Sequence, residues 1–128
     1  MTIYALSSGP GLSGIAVIRI SGPDTKKVLQ NMTYLKLPEA KVATLRKFKN
    51  PKTNDLIDEG ILLWFPSPES YTGEDMAEFH VHGSKAVVEA MHSSLSKING
   101  CRLAEPGEFT RIAFQNGKIN LLKAESIS

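Results

Sequence analysis

Along the chain, the spacing of apolar positions switches between short β-branched runs and helical stripes, which predicts alternating strands and helices. Ile15-Ala16-Val17-Ile18-Arg19-Ile20 reads as a strand after a glycine-rich loop. Ser21-Gly22-Pro23-Asp24 then predicts a turn that opens a helix reaching about Met32, with Val28, Leu29 and Met32 as its buried stripe. Residues 42–48 and 60–65 read as an antiparallel pair of strands joined by the turn residues 50–55. Two prolines, Pro66 and Pro68, remove ladder donors, so residues 66–75 form an ordered loop rather than a strand interior.

Residues 77–81 return to strand. Gly83-Ser84 caps a helix whose Val87, Val88, Met91, Leu95 and Ile98 keep helical spacing and which ends at Asn99-Gly100. Pro106-Gly107-Glu108 begins a further short helix that stops at Asn116-Gly117, and the residues from Asn120 are expected to start a helix continuing past Ser128. A chain stopping there is expected to be a piece of a longer protein. With no internal repeat, low-complexity tract or long linker, the pattern predicts one α+β or α/β domain.

Composition agrees: 41% hydrophobic and 22% charged residues over 128 positions suit a single soluble domain with one core. The longest apolar stretches, Ile15 to Ile18 and Ile61 to Phe65, fall far short of the roughly 20 residues that cross a bilayer, so no membrane role is expected. No targeting segment is readable at the start, although an organellar form would have had it removed. Cys101 is the sole cysteine, which excludes an intrachain disulfide and a multi-cysteine zinc site and favours a reducing compartment. A buried, inert thiol is expected there, since Arg102 is its only evident activator. Net charge is +2, but residues 26–52 hold eight bases and one acid, whereas residues 55–78 hold seven acids and no base. Such segregation fits a nucleic-acid contact surface, and solvated faces explain it equally.

Gly9-Pro10-Gly11-Leu12-Ser13-Gly14 satisfies G-x-G-x-x-G, but it leads into a strand-like run and not the helix a dinucleotide site needs. The sequence contains no phosphate-binding G-x-x-x-x-G-K-[ST] loop and no G-x-S-x-G nucleophile elbow. His80 and His82 share one face of a predicted strand, where a metal would need Glu78 or Asp75 as well; structural hydrogen-bonded histidines are the other reading, with His92 alone on a helix. Glu78 has the same strand parity and follows the acidic loop. A carboxylate held on a strand can accept two parallel hydrogen bonds from a flat amidine-like edge such as a pterin. Arg19 needs a partner if its apolar strand is buried, and Lys118 follows the glycine ending the short helix. Arg19, Glu78 and Lys118 fit either an anion-plus-heterocycle pocket or structural ion pairs.

These residues lie within blocks that resemble the N-terminal domain of TrmE-type (MnmE-type) tRNA-modification GTPases, a family with a mitochondrial branch. The blocks are residues 14–23, Leu63-Trp64-Phe65-Pro66 with Ser70-Tyr71-Thr72-Gly73-Glu74-Asp75, Glu78-Phe79-His80-Val81-His82-Gly83, and Pro106-Gly107-Glu108-Phe109-Thr110-Arg111 with Ala113-Phe114 and Asn116-Gly117-Lys118. They occur in family order over nearly the whole chain. Departures are Leu12 and Ser13 in the early loop, Ile112 in place of an arginine, and Asn120-Leu121-Leu122 in place of Asp-Leu-Thr.

The resemblance implies an α+β domain, a mixed sheet with flanking helices similar to the tetrahydrofolate-binding domain of aminomethyltransferases. Residues 1–118 would form the folate-binding and dimerisation unit, and residues 119–128 would begin a helical part. Folate contacts fall on Arg19, Glu78 and Lys118, with no catalytic residue and no metal in this chain. The implied ligand is a tetrahydrofolate derivative (5-formyl or 5,10-methylene), and GTP, magnesium and potassium belong to a separate G domain. Implied partners are a second copy, an FAD-containing GidA (MnmG) type protein, and tRNA modified at C5 of the wobble uridine. The compartment would be mitochondrial in a eukaryote and cytoplasmic in a bacterium. The competing expectations are a stand-alone aminomethyltransferase-like enzyme and a dimerisation or tRNA-docking domain without a ligand.

Overall fold

The computed structural model describes residues 1–7, 14–34 and 36–120. Nine elements follow one another: β1 (Thr2–Leu6), β2 (Ile15–Ser21), α1 (Thr25–Thr33), β3 (Thr44–Lys49), β4 (Leu56–Phe65), β5 (Met76–His82), α2 (Lys85–Ser96), β6 (Cys101–Leu103) and α3 (Glu108–Gln115). The strands form a mixed six-stranded sheet in the order β3-β4-β5-β2-β1-β6, so the described residues have an α+β fold. All pairings are antiparallel except β1 with β6.

Strand alternation divides the sheet into two unlike faces. On one, Tyr4, Ile20, Ala77 and Trp64 lie abreast across four strands, next to the row Ile18, Phe79 and Leu62. These side chains are buried against Val28, Leu29 and Met32 of α1 and Met91 and Leu95 of α2. The Phe48 and Phe79 rings meet at 4.6 Å between centroids, tilted by 37°. On the other face, the row Ala5, Arg19, Glu78 and Leu63 is less deeply covered, and it carries the polar chemistry.

The stripe Val28, Leu29 and Met32 is buried as its spacing predicts, and the Ser84 hydroxyl accepts from the Val87 amide as the N-cap of α2. Strand β4 begins at Leu56 rather than residue 60, because its pairing with β3 continues to Lys49 opposite Leu56. Helix α2 stops at Ser96, before the Asn99-Gly100 break, and buried Ile98 closes the turn by donating its amide to the Leu95 carbonyl. Strands β1 and β6 do not stand out in the sequence; β6 has three residues and exists by pairing in parallel with β1. Gly100 sits at φ 87°, where a Cβ would collide with the Asp24 carboxylate, so glycine is needed to turn into β6. Cys101 is buried, and desolvation raises its thiol pKa, as an inert structural cysteine requires. The glycine-rich loop, with Leu12 and Ser13, and the expected helix start both fall largely or wholly outside the described residues.

Candidate ligand pocket on the open sheet face

Arg19 of β2 stands directly opposite Glu78 of β5, on the face turned away from Ile18, Ile20 and Phe79. The guanidinium Nη2 donates to Glu78 Oε2 at 3.4 Å, while Glu78 Oε1 lies 3.1 Å from His80 Nε2. The two side chains retain 30% and 20% exposure, so the pair is neither sealed nor fully solvated. Arg19 Nε is buried without a hydrogen-bond partner.

Two aromatic rings, one from the proline-broken loop and one from α3, stand near the Arg19 guanidinium. The Tyr71 ring centroid lies 5.5 Å from the Arg19 guanidinium carbon and that of Phe109 lies 5.9 Å away. Tyr71 and Thr110 share a hydrogen bond at 3.1 Å that ties the loop to α3. Below Tyr71, the fully buried Thr72 hydroxyl bonds Ser21 at 2.7 Å, and Ser21 also donates to Glu74 Oε1 at 2.9 Å. The Asn116 side-chain amide donates to the Thr72 carbonyl at 2.7 Å. Helix α3 is fixed in turn by buried Glu108, which receives Arg102 Nη1 at 2.8 Å and Nη2 at 2.5 Å, Arg111 at 3.4 Å and the Glu105 amide at 2.9 Å. The Arg102 hydrogen bonds outweigh burial and hold the Glu108 carboxyl at a pKa of about 2.

Arg19, Phe65, Tyr71, Met76 and Glu78 enclose a cavity of about 180 Å³. Its chemistry is a carboxylate flanked by a cation and an imidazole, beneath aromatic and thioether walls. That combination accepts paired N–H groups from a flat heterocycle and packs against its faces. Of the three residues singled out in the sequence, Arg19 and Glu78 meet here. Lys118 does not line this cavity; its Nζ donates to the Pro68 carbonyl at 3.0 Å, on the loop that carries Tyr71. Tyr71, Phe109, Phe65 and Met76 are not singled out as site residues by the sequence, although the aromatics fall within the family blocks; strand pairing brings Phe65 and Met76 to the site, and the packing of loop and helix brings Tyr71 and Phe109.

The two-histidine arrangement resolves into separate pairings. His80 contacts Glu78, whereas His82 meets Asp58 at 2.9 Å. Burial raises the Asp58 carboxyl, but hydrogen bonds from the His82 amide and ring outweigh it and leave the pKa lowered. His92 packs on Tyr4 in the helix layer, with ring centroids 5.5 Å apart. Among the described residues no group of three His, Cys, Asp or Glu side chains is placed to hold a metal ion. Nor is any described helix long and apolar enough to cross a membrane.

Residues 2–118 match the family described as GTP-binding protein TrmE N-terminus. The chain belongs to that family. It is 72% identical over its whole length to a tRNA modification GTPase MnmE of Pelagibacter ubique, and 54% identical over 99% of its length to one of Brucella canis. It is also 48% identical over 99% of its length to the mitochondrial tRNA modification GTPase gtpbp3 of Dictyostelium discoideum. The chain spans only 29%, 28% and 26% of these three relatives, respectively.

Proposed function

We propose that this chain is the N-terminal module of a tRNA wobble-uridine modification GTPase and binds a one-carbon tetrahydrofolate, with its pterin edge on Glu78. The observation that carries this reading is the Arg19–Glu78 pair beneath Tyr71 and Phe109, at positions where the family resemblance implies folate contacts. Glu78 accepts the ring N–H and the exocyclic amine. Arg19 holds the carboxylate in place through its Nη2 contact to Oε2. Phe65, Met76 and Tyr71 exclude water from the ring faces. A cavity of about 180 Å³ admits the flat end of such a molecule and leaves the remainder outside, since whole drug-sized ligands occupy roughly 300–1,000 Å³. Lys118 steadies the Tyr71 loop through Pro68, and its ammonium suits the anionic tail of a folate. Bound folate supplies the one-carbon unit transferred to C5 of the uridine.

A second copy of the chain is the proposed dimer partner. Apolar Leu45 remains 61% exposed at the end of the open-face row that holds half-buried Ile61 and Val17, and Ile15, opposite His82 on the same face, remains 57% exposed, which favours a protein contact on that face. Residues 1–118 are proposed as the folate-binding and dimerisation unit, and residues 119–128 as the beginning of a helical part. GTP turnover with magnesium and potassium, and assembly with an FAD-containing GidA (MnmG) type partner on tRNA, belong to the longer protein. Its setting is a bacterial cytoplasm or a mitochondrion.

Calorimetric titration with 5-formyltetrahydrofolate, run beside Glu78→Gln, tests the ligand claim. Saturable binding by the wild type and a loss of tenfold or more in the variant are expected, the scale of one charge-assisted hydrogen bond of about 1.5–3 kcal/mol. A folded, dimeric wild type that does not bind would refute the folate reading and leave a dimerisation or docking domain.

A further inference from the structure

A second polar feature starts on the helix-covered side of the sheet and continues round the β3 edge, sharing no residue with the Arg19–Glu78 pocket. Where α1, the end of α2 and the β3–β4 turn meet, Lys27, Lys52 and Lys97 with Asn31 and Asn99 line a cleft of about 310 Å³. Lys27 is held there by donating its Nζ to the Asn99 carbonyl at 3.2 Å. Beside it, along the β3 edge, Arg46, Lys47 and Lys49 with Tyr34 and Glu59 line a cleft of about 320 Å³. The clefts adjoin through the β3–β4 turn: the Tyr34 hydroxyl donates to the Asn50 carbonyl at 3.4 Å, and the next residue, Pro51, lines the first cleft.

None of these six cations forms an ion pair among the described residues, whereas Arg19, Arg102 and Arg111 all pair with carboxylates. Glu59 is the sole acid lining either cleft. Clustered, uncompensated cations repel one another, and a polyanion relieves that repulsion by neutralising several at once. Two contiguous clefts suit a repeating anion better than a single phosphate. Tyr34 is 47% exposed, with Lys49 Nζ 5.6 Å from its ring centroid, so an aromatic face stands within the basic track as a stacking platform.

We propose that this track, from Lys97 through Lys27 and Lys52 to Lys49 and Arg46, is an RNA-binding surface that grips the phosphate backbone, with Tyr34 against an unstacked base. None of its residues lines the Arg19–Glu78 pocket, so RNA and the proposed folate bind without competing. Its recognition is of charge and shape, so it positions RNA without reading sequence.

The test is fluorescence anisotropy of a labelled, unmodified tRNA transcript titrated with the full chain between about 50 and 200 mM salt. Wild type is compared with the triple variant Lys27→Gln, Lys52→Gln, Lys97→Gln, with Tyr34→Ala, and with Lys85→Gln as a control on an exposed lysine elsewhere. All altered side chains are exposed, and thermal melting verifies that each variant folds. The triple variant is expected to lose tenfold or more in affinity at low salt, and its slope of log affinity against log salt to fall by about 2 to 3. Tyr34→Ala weakens binding severalfold with the slope unchanged, and Lys85→Gln binds as wild type. Wild type that shows no salt-dependent binding overturns the proposal, as does a triple variant that binds like wild type. So does tighter binding to phosphatidylserine vesicles than to the transcript, which would make the surface a membrane contact. Because the readout is free of folate, failure of the folate titration leaves this result standing, and the converse also holds.

Discussion

Glu108→Gln probes how α3 is held beside the pocket, because the residue after Glu108 is Phe109, whose ring lies near the Arg19 guanidinium. The native carboxylate is 4% exposed, takes both nitrogens of the Arg102 fork and has its pKa lowered from 4.5 to about 2. At 1.36 kcal/mol per pH unit, that depression corresponds to about 3 kcal/mol of stability. Arg102 is 39% exposed and water screens the pair, which brings the expected loss in the variant to about 2 kcal/mol at neutral pH. Because the folded pKa is depressed, the contribution is fully present above 4.5 and disappears as pH falls toward about 2, with roughly half of it gone by pH 3. Urea unfolding of wild type and variant from neutral pH down to about pH 3 measures the gap directly. A gap that narrows on acidification, with an unchanged slope against urea, is the expected result. A gap below about 0.5 kcal/mol at neutral pH, or one that stays constant on acidification, would refute this account of how α3 is held.

Two further substitutions test the scaffold around the pocket. Thr72→Val keeps the shape of a fully buried residue but strips the hydroxyl that bonds Ser21 and receives the Glu74 amide; a loss of about 1–3 kcal/mol in denaturant unfolding is expected, and an unchanged midpoint would show that the loop is held without it. Ser84→Ala removes the N-cap of α2 and is expected to cost about 1 kcal/mol by thermal unfolding, with no change in any binding measured at Glu78.

Much of this domain follows from the sequence alone. Helix stripes such as Val28, Leu29 and Met32, the capping serine of α2 and the β-branched run of β2 are local signals, set by side-chain period and turn chemistry within a few residues. The shared parity of Glu78, His80 and His82 is also local, so their common face is legible without knowledge of the pairing. Strand pairing was beyond reach, because it joins residues far apart in the chain through backbone groups common to every sequence. Hence β1 and β6, whose existence depends on each other and on β2, emerge only in the assembled sheet. The same limit applies to chemistry. Sequence grouped Arg19, Glu78 and Lys118 as one pocket or as ion pairs; the β2–β5 register made a pair of the first two, and the packing of a proline-broken loop and α3 set Tyr71 and Phe109 near that pair and Lys118 against Pro68. Local periodicity determined which elements form and which way each side chain faces, whereas which charges meet, and which stay unpaired, was decided by long-range packing.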